Sequence, residues 1–243
     1  MEAIDNQRLS AAISELENRG LNLFAVLRVG ALPDSVAAPL NQHELPPDDE
    51  NRVILIGHGG RRLWQSLDQV HWRHTDPVDS FSHAAAQHFC QQVLPENSYR
   101  IIYPGTRPVA LQQLGKAAGW HCDSPLGLGI HPHWGLWFAY RAVILTDAPL
   151  PEIRQPSPAT ACDQCPDQPC ISHCPAQALK PGGPIDMSRC GDYRLEEDSH
   201  CSDRCLSRLG CPVAGEHRYT LEQINYHYRL SLETLRHYHY GGE

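Results

Sequence analysis

An α/β (α+β) body that carries a cysteine-rich insertion toward its C-terminal end is the fold class this sequence predicts. Three observations predict it. Apolar residues from positions 1 to 150 switch repeatedly between helical and extended spacing, with turn residues at the switches. Eight of the ten cysteines crowd into positions 162 to 211. After them Thr220 and Gln223 make the capping-box signature of a further helix.

The elements follow in order. Ile4, Leu9, Ile13 and Leu16 recur at helical spacing, Gly20 stands where a C-terminal cap belongs, and Leu21 to Val29 is an apolar strand. Ala31 to Asn51, rich in proline and acidic residues, reads as a connecting loop, and Arg52 to Gly57 as a buried strand. Gly57, Gly59 and Gly60 form a strand-to-helix turn and not a dinucleotide fingerprint. Asp76 and Pro77 supply a cap and a first-turn proline for a helix running to about Val93. Tyr99 to Tyr103 is a strand, Pro108 to Ala118 a helix and Trp137 to Thr146 a long strand, on which alternation groups Trp137, Ala139, Arg141 and Val143. A polar segment from Pro149 to Ala161 separates this body from the cysteines. In the last helix Leu221, Ile224, Tyr228, Leu232 and Leu235 share an apolar face that needs a surface, so the helix is expected to return to the body. The expected division is 1–155 for the body, 156–215 for the cysteine module and 216–243 for the returning helix.

Composition bounds the function. A length of 243 residues with 41% hydrophobic content suffices for one core and a small module. The net charge of −8 argues against broad attraction to nucleic acid, which needs a basic surface to displace counterions. No apolar run approaches the roughly 20 residues that span a bilayer, so no membrane partner is expected. Met1 to Asn6 is polar and lacks the apolar core of a signal peptide, so a soluble, cytoplasmic protein is expected.

The cysteines read C-x2-C-x4-C-x3-C-P, then fifteen residues to Cys190, ten to Cys201, and C-x3-C-x5-C-P. Eight thiolates suffice for two 4Fe-4S cubanes, and each half closes with the Cys-Pro of bacterial ferredoxin motifs. Crossed ligation gives Cys162, Cys165, Cys170 and Cys211 to one cluster, and Cys174, Cys190, Cys201 and Cys205 to the other. The gaps before Cys170 and Cys211 are wider than usual. Two zinc sites are the alternative, though zinc prefers paired C-x2-C knuckles without Cys-Pro endings; a disulfide framework suits a secreted chain.

Other residues are candidates for binding. Arg141 is a guanidinium in an apolar strand and must meet an anion, either Asp76 or Asp79 or an anionic group of a ligand. Gly127, Gly129 and Gly135 admit a close backbone approach or serve turns. His131 and His133 flank Pro132 and can approach a metal face or stay solvated. His71, His74, His237 and His239 read as surface residues, Cys90 as a small core residue, and Cys122 as a thiol near the binding loop.

The segments Thr75 to Asp79, Arg107-Pro108, Gly129 to Arg141, and Arg218-Tyr219 with Glu222-Gln223 resemble, collinearly, the CblC-type cobalamin-processing proteins. That resemblance implies a nitroreductase-like α/β fold whose cavity holds cobalamin with its lower base detached. It points to His131, Pro132, Gly135, Trp137 and Arg141 as cofactor-binding, with glutathione as an anionic partner of Arg141. The cysteine layout, and Arg107 through Leu150, are similar to the epoxyqueuosine reductases, which join such a fold to two 4Fe-4S clusters in a ferredoxin-like segment. This chain departs from them in having Tyr103-Pro104-Gly105-Thr106 where they place an acidic residue. The resemblances together imply an oxidoreductase that reduces cobalamin or removes its upper ligand, served by an electron donor such as a ferredoxin or flavodoxin. A non-catalytic electron carrier or cobalamin chaperone, and a cobalamin-dependent reductase of an organic or nucleoside substrate, are the alternatives. Flavin remains the rival occupant of the cavity, a homodimer the oligomer to test for, and the catalytic residues stay unassigned.

Overall fold

The computed structural model describes residues 5–40, 45, 48–68, 70–156 and 161–240. Ile4 and the side chain of His239 lie outside the described residues. The chain forms two compact units, Met1–His121 with Phe138–Pro158, and Cys122–Trp137 with Ala159–Glu243. These boundaries differ from 155 and 215: residues 122–137 group with the cysteines, and so does the C-terminal helix.

The first unit contains α1 (Asn6–Asn18), β1 (Leu23–Arg28), α2 (Asp34–Leu40), β2 (Arg52–Gly59), α3 (Arg62–Ser66), α4 (Pro77–Val93), β3 (Tyr99–Tyr103), α5 (Leu111–Ala117) and β4 (Phe138–Thr146). Its strands pair antiparallel in the order β1-β2-β4-β3. Asp5 caps α1 by accepting the Gln7 N–H at 2.9 Å, and Leu9, Ala12 and Leu16 turn inward. At Gly20 the backbone is left-handed, φ +85°, and a Cβ would strike the backbone of Leu63, so only glycine fits. Helix α1 lies on α4, and α4 lies on β3 and β4. The rings of Phe24 and Phe89 meet at 5.3 Å where α4 faces β1. Val53 to Ile56 and Ala142 to Ile144 are wholly buried. These central strands therefore read as unbroken apolar runs and not as alternation.

Four local expectations change. Within Ala31 to Asn51 the chain forms α2, because Val36 and Leu40 are buried one turn apart and the Pro33 carbonyl accepts the N–H groups of Val36 and Ala37. Its prolines sit before the first turn and in the last, where a helix tolerates them. Helix α5 begins at Leu111, whose N–H closes a tight turn on the Val109 carbonyl, 2.8 Å away. Trp137 precedes β4, since its N–H turns back to the Trp134 carbonyl at 3.0 Å. At the first turn of α4, the Asp76 carbonyl takes the Ser80 N–H, and its side chain makes no cap bond.

The second unit contains α6 (Pro169–Ser172), α7 (Met187–Leu195), α8 (Leu206–Gly210) and α9 (Leu221–Tyr240). Asp186 caps α7 by accepting the Arg189 N–H at 3.0 Å. Thr220 caps α9 through the Gln223 N–H at 3.2 Å, yet the Gln223 side chain is buried without a hydrogen bond. Only half of the expected capping box therefore forms. Helix α9 lies against α7, where Gly191 leaves room for Leu235. Ile224 and Leu232 are buried, whereas Leu221 is 56% exposed and drops out of the expected face. Among the described residues no helix is long and apolar enough to cross a membrane.

Candidate metal centre

Cys162, Cys165, Cys170 and Cys211 line one small apolar pocket, walled by Leu126, Ile130, Leu136 and Val213. Local turns put them there. The Cys165 N–H bonds to the Cys162 carbonyl at 3.1 Å, and the Gln168 N–H to the Cys165 carbonyl at 3.3 Å. This second turn takes up the wide gap before Cys170, which sits in the first turn of α6. The wide gap before Cys211 is taken up by α8, where the Arg208 carbonyl receives the Cys211 N–H at 3.3 Å. One helical turn thus carries Cys211 away from Cys205.

Burial first, then the neighbouring Cys211, Cys170 and Cys165, push the Cys162 thiol up to about 11. Burial, then Cys205, Arg194 in opposition, Cys174 and Cys201, push Cys190 up. Burial also raises Cys170, Cys211 and Cys201, and the thiols acting on each belong to its own quartet. The two groups brought together are thus Cys162, Cys165, Cys170 and Cys211, and Cys174, Cys190, Cys201 and Cys205. Backbone donors stand ready for thiolate charge: Ala178 N–H reaches Cys174 Sγ and Arg208 N–H reaches Cys205 Sγ, both at 3.4 Å.

Among the described residues no three His, Cys, Asp or Glu side chains close on a single metal ion. A cubane asks for wider spacing, because each thiolate binds a different iron. Four soft thiols to a set, apolar walls and backbone donors to sulfur fit such a group.

Sequence reading missed the side chains around the second quartet. Arg194 follows Cys190 by one helical turn on α7 and donates to the Cys201 carbonyl at 3.2 Å, the Tyr228 carbonyl at 3.1 Å and Ser231 Oγ at 2.9 Å. The spacing of four residues from Cys190 was its only signal. Arg208 lies 4.7 Å above Trp137 and 5.2 Å above Tyr219, and its Nη2 donates to the Leu136 carbonyl, 2.5 Å away.

The segment from His131 to Trp137 belongs to this unit. His131 and Gly135 exchange backbone hydrogen bonds of 2.8 Å, closing a tight turn with Pro132 and His133 exposed at its tip. His131 Nδ1 accepts from the N–H groups of His133, 3.0 Å, and Trp134, 3.2 Å. Gly135 has φ +57° and backs onto Val213, two residues past Cys211. Trp137 is fully buried beneath Arg208. Of these four candidate residues, only Pro132 faces solvent.

His131 is held down to about 4 by burial and then by His133, which makes a testable pH dependence. The unfolded histidine, near its ordinary 6.5, binds a proton that the folded ring refuses. Its contribution to stability is whole above about pH 6.5 and is lost as pH falls through about 4. Denaturant titrations of wild type and His131→Asn across that window are expected to show a steeper loss of stability with falling pH in wild type.

Arg141 stands in the other unit, on β4. Opposite Gly57 the pairing with β2 shifts by one residue, so Arg141 is the extra residue of a β-bulge. The bulge interrupts the alternation along β4, and Trp137 precedes the strand, so the expected run of Trp137, Ala139, Arg141 and Val143 is not one unbroken strand face. Its Nε donates to His58 Nδ1 at 2.9 Å, and its Nη1 lies 3.8 Å from Asp79 Oδ1. Burial raises Asp79, against the opposing charge of Arg141, and raises Tyr103 beside the same pair. One of the two carboxylates foreseen therefore meets the guanidinium. Cys90 is buried on α4 and pushed up to about 12 by burial, an inert core thiol.

No protein-family model and no curated protein matches the chain. Solved structures do match it in fold. The B12-trafficking protein CblC of C. elegans, a homologue of human MMACHC, is similar over 96% of this chain and 97% of its own, with a TM-score of 0.51 and 17% identity. The epoxyqueuosine reductase of Streptococcus thermophilus is similar over 84% of this chain and 65% of its own, at 0.54 and 14%. The catabolic reductive dehalogenase NpRdhA is similar over 94% of this chain and 34% of its own, at 0.56 and 15%. The chain thus spans about two thirds of the reductase and one third of the dehalogenase. Both resemblances drawn from sequence motifs return as likenesses of fold, and the expected mixed α/β, nitroreductase-like class holds.

Proposed function

We propose that this chain binds cobalamin as its substrate and removes the upper axial ligand by reduction, with two resident 4Fe-4S clusters as electron carriers. The observation that carries the reading is the separation of eight cysteines into two quartets within a chain alike in fold to CblC over 96% of its length. Cys162, Cys165, Cys170 and Cys211 hold one cluster in this reading, and Cys174, Cys190, Cys201 and Cys205 the other. Clusters so bound supply single electrons at low potential, the chemistry that reductive loss of an axial ligand demands.

The protein's own groups prepare the site. Thiols raised by burial release their protons on metal loading, so assembly is favoured by rising pH. Pro132 and His133 are the surface that the loop offers to cobalamin, while His131 braces the turn behind them. Arg141 takes an anionic group of cobalamin or of glutathione only in competition with Asp79, which already faces it. A ferredoxin or flavodoxin serves as the electron source.

Visible spectra of anaerobic protein test this. A broad absorption that dithionite bleaches is expected, followed on addition of cob(II)alamin by conversion to its base-off spectrum. Cyanocobalamin is expected to lose cyanide when protein and reductant are both present. Clusters with no cyanide release would favour the electron-carrier alternative. Stoichiometric zinc without acid-labile sulfide would end the iron-sulfur reading.

A further inference from the structure

Helix α7 carries Cys190 and, one turn later, Arg194, whose guanidinium is shared among three acceptors on two other stretches of chain. Its Nε reaches the Cys201 carbonyl at 3.2 Å, Nη2 the Tyr228 carbonyl at 3.1 Å and Nη1 Ser231 Oγ at 2.9 Å. Three donors fixed in one plane serve three acceptors. The same guanidinium lies 5.1 Å from the Tyr228 ring centroid. Arg194 thus holds the backbone of one cysteine of the second quartet, stands one turn from another, and grips the final helix at its middle.

Other contacts join the same elements. Gly191, beside Cys190, leaves room for Leu235, whose Cδ1 would lie 3.4 Å from a Cβ there. In the amide orientation that its neighbours require, Asn225 donates at 3.0 Å to the carbonyl of Asp203, between Cys201 and Cys205. The start of α9 packs elsewhere. Ile224 and Tyr228 meet Trp137, Tyr219 and Leu209, and Arg218 donates at 2.8 Å to the Leu209 carbonyl, two residues before Cys211. That end borders α8, which stands between Cys205 and Cys211. Among the described side chains of residues 229–238, Leu232 alone is buried. The far half of α9 therefore depends on α7, and α7, at nine residues, is shorter than the roughly 12 that an isolated helix needs.

We propose that Arg194 is the positioning residue of the second quartet, setting Cys201 against Cys190 and making the far half of α9 part of that cluster's scaffold. This rests on the cluster reading above. Groups that orient metal ligands without touching the metal carry a large share of its affinity. Where the segments bearing the ligands are short, metal binding is also folding free energy. Loading of the second quartet and docking of α9 are then linked, and the linkage is reciprocal.

Iron release to a chelator, followed on reconstituted full-length protein, tests this in two backgrounds: Cys162→Ala, which leaves the second cluster, and Cys190→Ala, which leaves the first. Arg194→Gln is expected to speed release about tenfold in the Cys162→Ala background and to leave it unchanged in the other. A merely destabilising change would speed both, and that result would overturn the proposal. Hydrogen exchange reads the opposite direction of the linkage. Amides of residues 229–238 are expected to exchange about tenfold faster in Cys190→Ala than in Cys162→Ala, because the coupling acts equally both ways. Protected amides in β2 and β4 report that each variant is folded. Unchanged iron release in Arg194→Gln with Cys162→Ala would overturn the proposal, as would equal exchange of α9 in the two cysteine variants. Wild type without iron and sulfide would remove the cluster reading and this inference together, an outcome that metal analysis separates from the others.

Discussion

Cys162→Ala and Cys190→Ala are each expected to remove about half of the iron, and to remove different halves, because two cubanes hold about eight iron and eight sulfide in all. The expectation follows from which thiols neighbour each other: burial and then Cys211, Cys170 and Cys165 push Cys162 up, whereas burial and then Cys205, Cys174 and Cys201 push Cys190 up. Iron and sulfide analysis with Mössbauer spectroscopy measures the fraction left, and the double variant is expected to hold almost none. Loss of all iron in one variant and none in the other would break the assignment into quartets.

The nearness of Cys162 to Cys165 was legible in the sequence because a ligand motif is local. Cys-x2-Cys makes a turn and Cys-Pro ends one, so residue order suffices for the pairing of Cys162 with Cys165. The sequence carried no such signal for α8, whose single turn separates Cys205 from Cys211. Strand boundaries at Tyr99, Tyr103 and Thr146 were equally legible, since apolar β-formers meet turn residues there. The face of Arg141 was not. A bulge leaves no mark in the pattern of one strand, because it is the partner's register that skips. Helix α2 was hidden by its prolines, which mark a loop in composition and are harmless at the ends of a short helix.

Gly135 decides between two meanings of the His131 to Trp137 segment. In sequence this glycine could admit a flat macrocycle, or serve a turn. In the structure it has φ +57°, and a Cβ would lie 2.6 Å from the Val213 carbonyl and 3.0 Å from Ala214 Cβ. Gly135→Ala therefore brings a left-handed conformation that costs an L residue about 1–2 kcal/mol, and overpacking that costs about 1–3 kcal/mol more. The displaced segment follows Cys211 by two residues, so the first quartet is the part of the protein that feels the change. The expected result is a destabilisation of about 2–5 kcal/mol with iron loss concentrated in the cluster that needs Cys211. Gly182→Ala is the control: its φ is +65°, but nothing lies within 4 Å of its would-be Cβ. It meets the conformational cost without the clash, and is expected to keep full iron. If Gly135→Ala instead kept all its iron and lost only the base-off spectrum of added cob(II)alamin, the glycine would be serving the macrocycle, and the loop would belong to cobalamin rather than to the cysteines behind it.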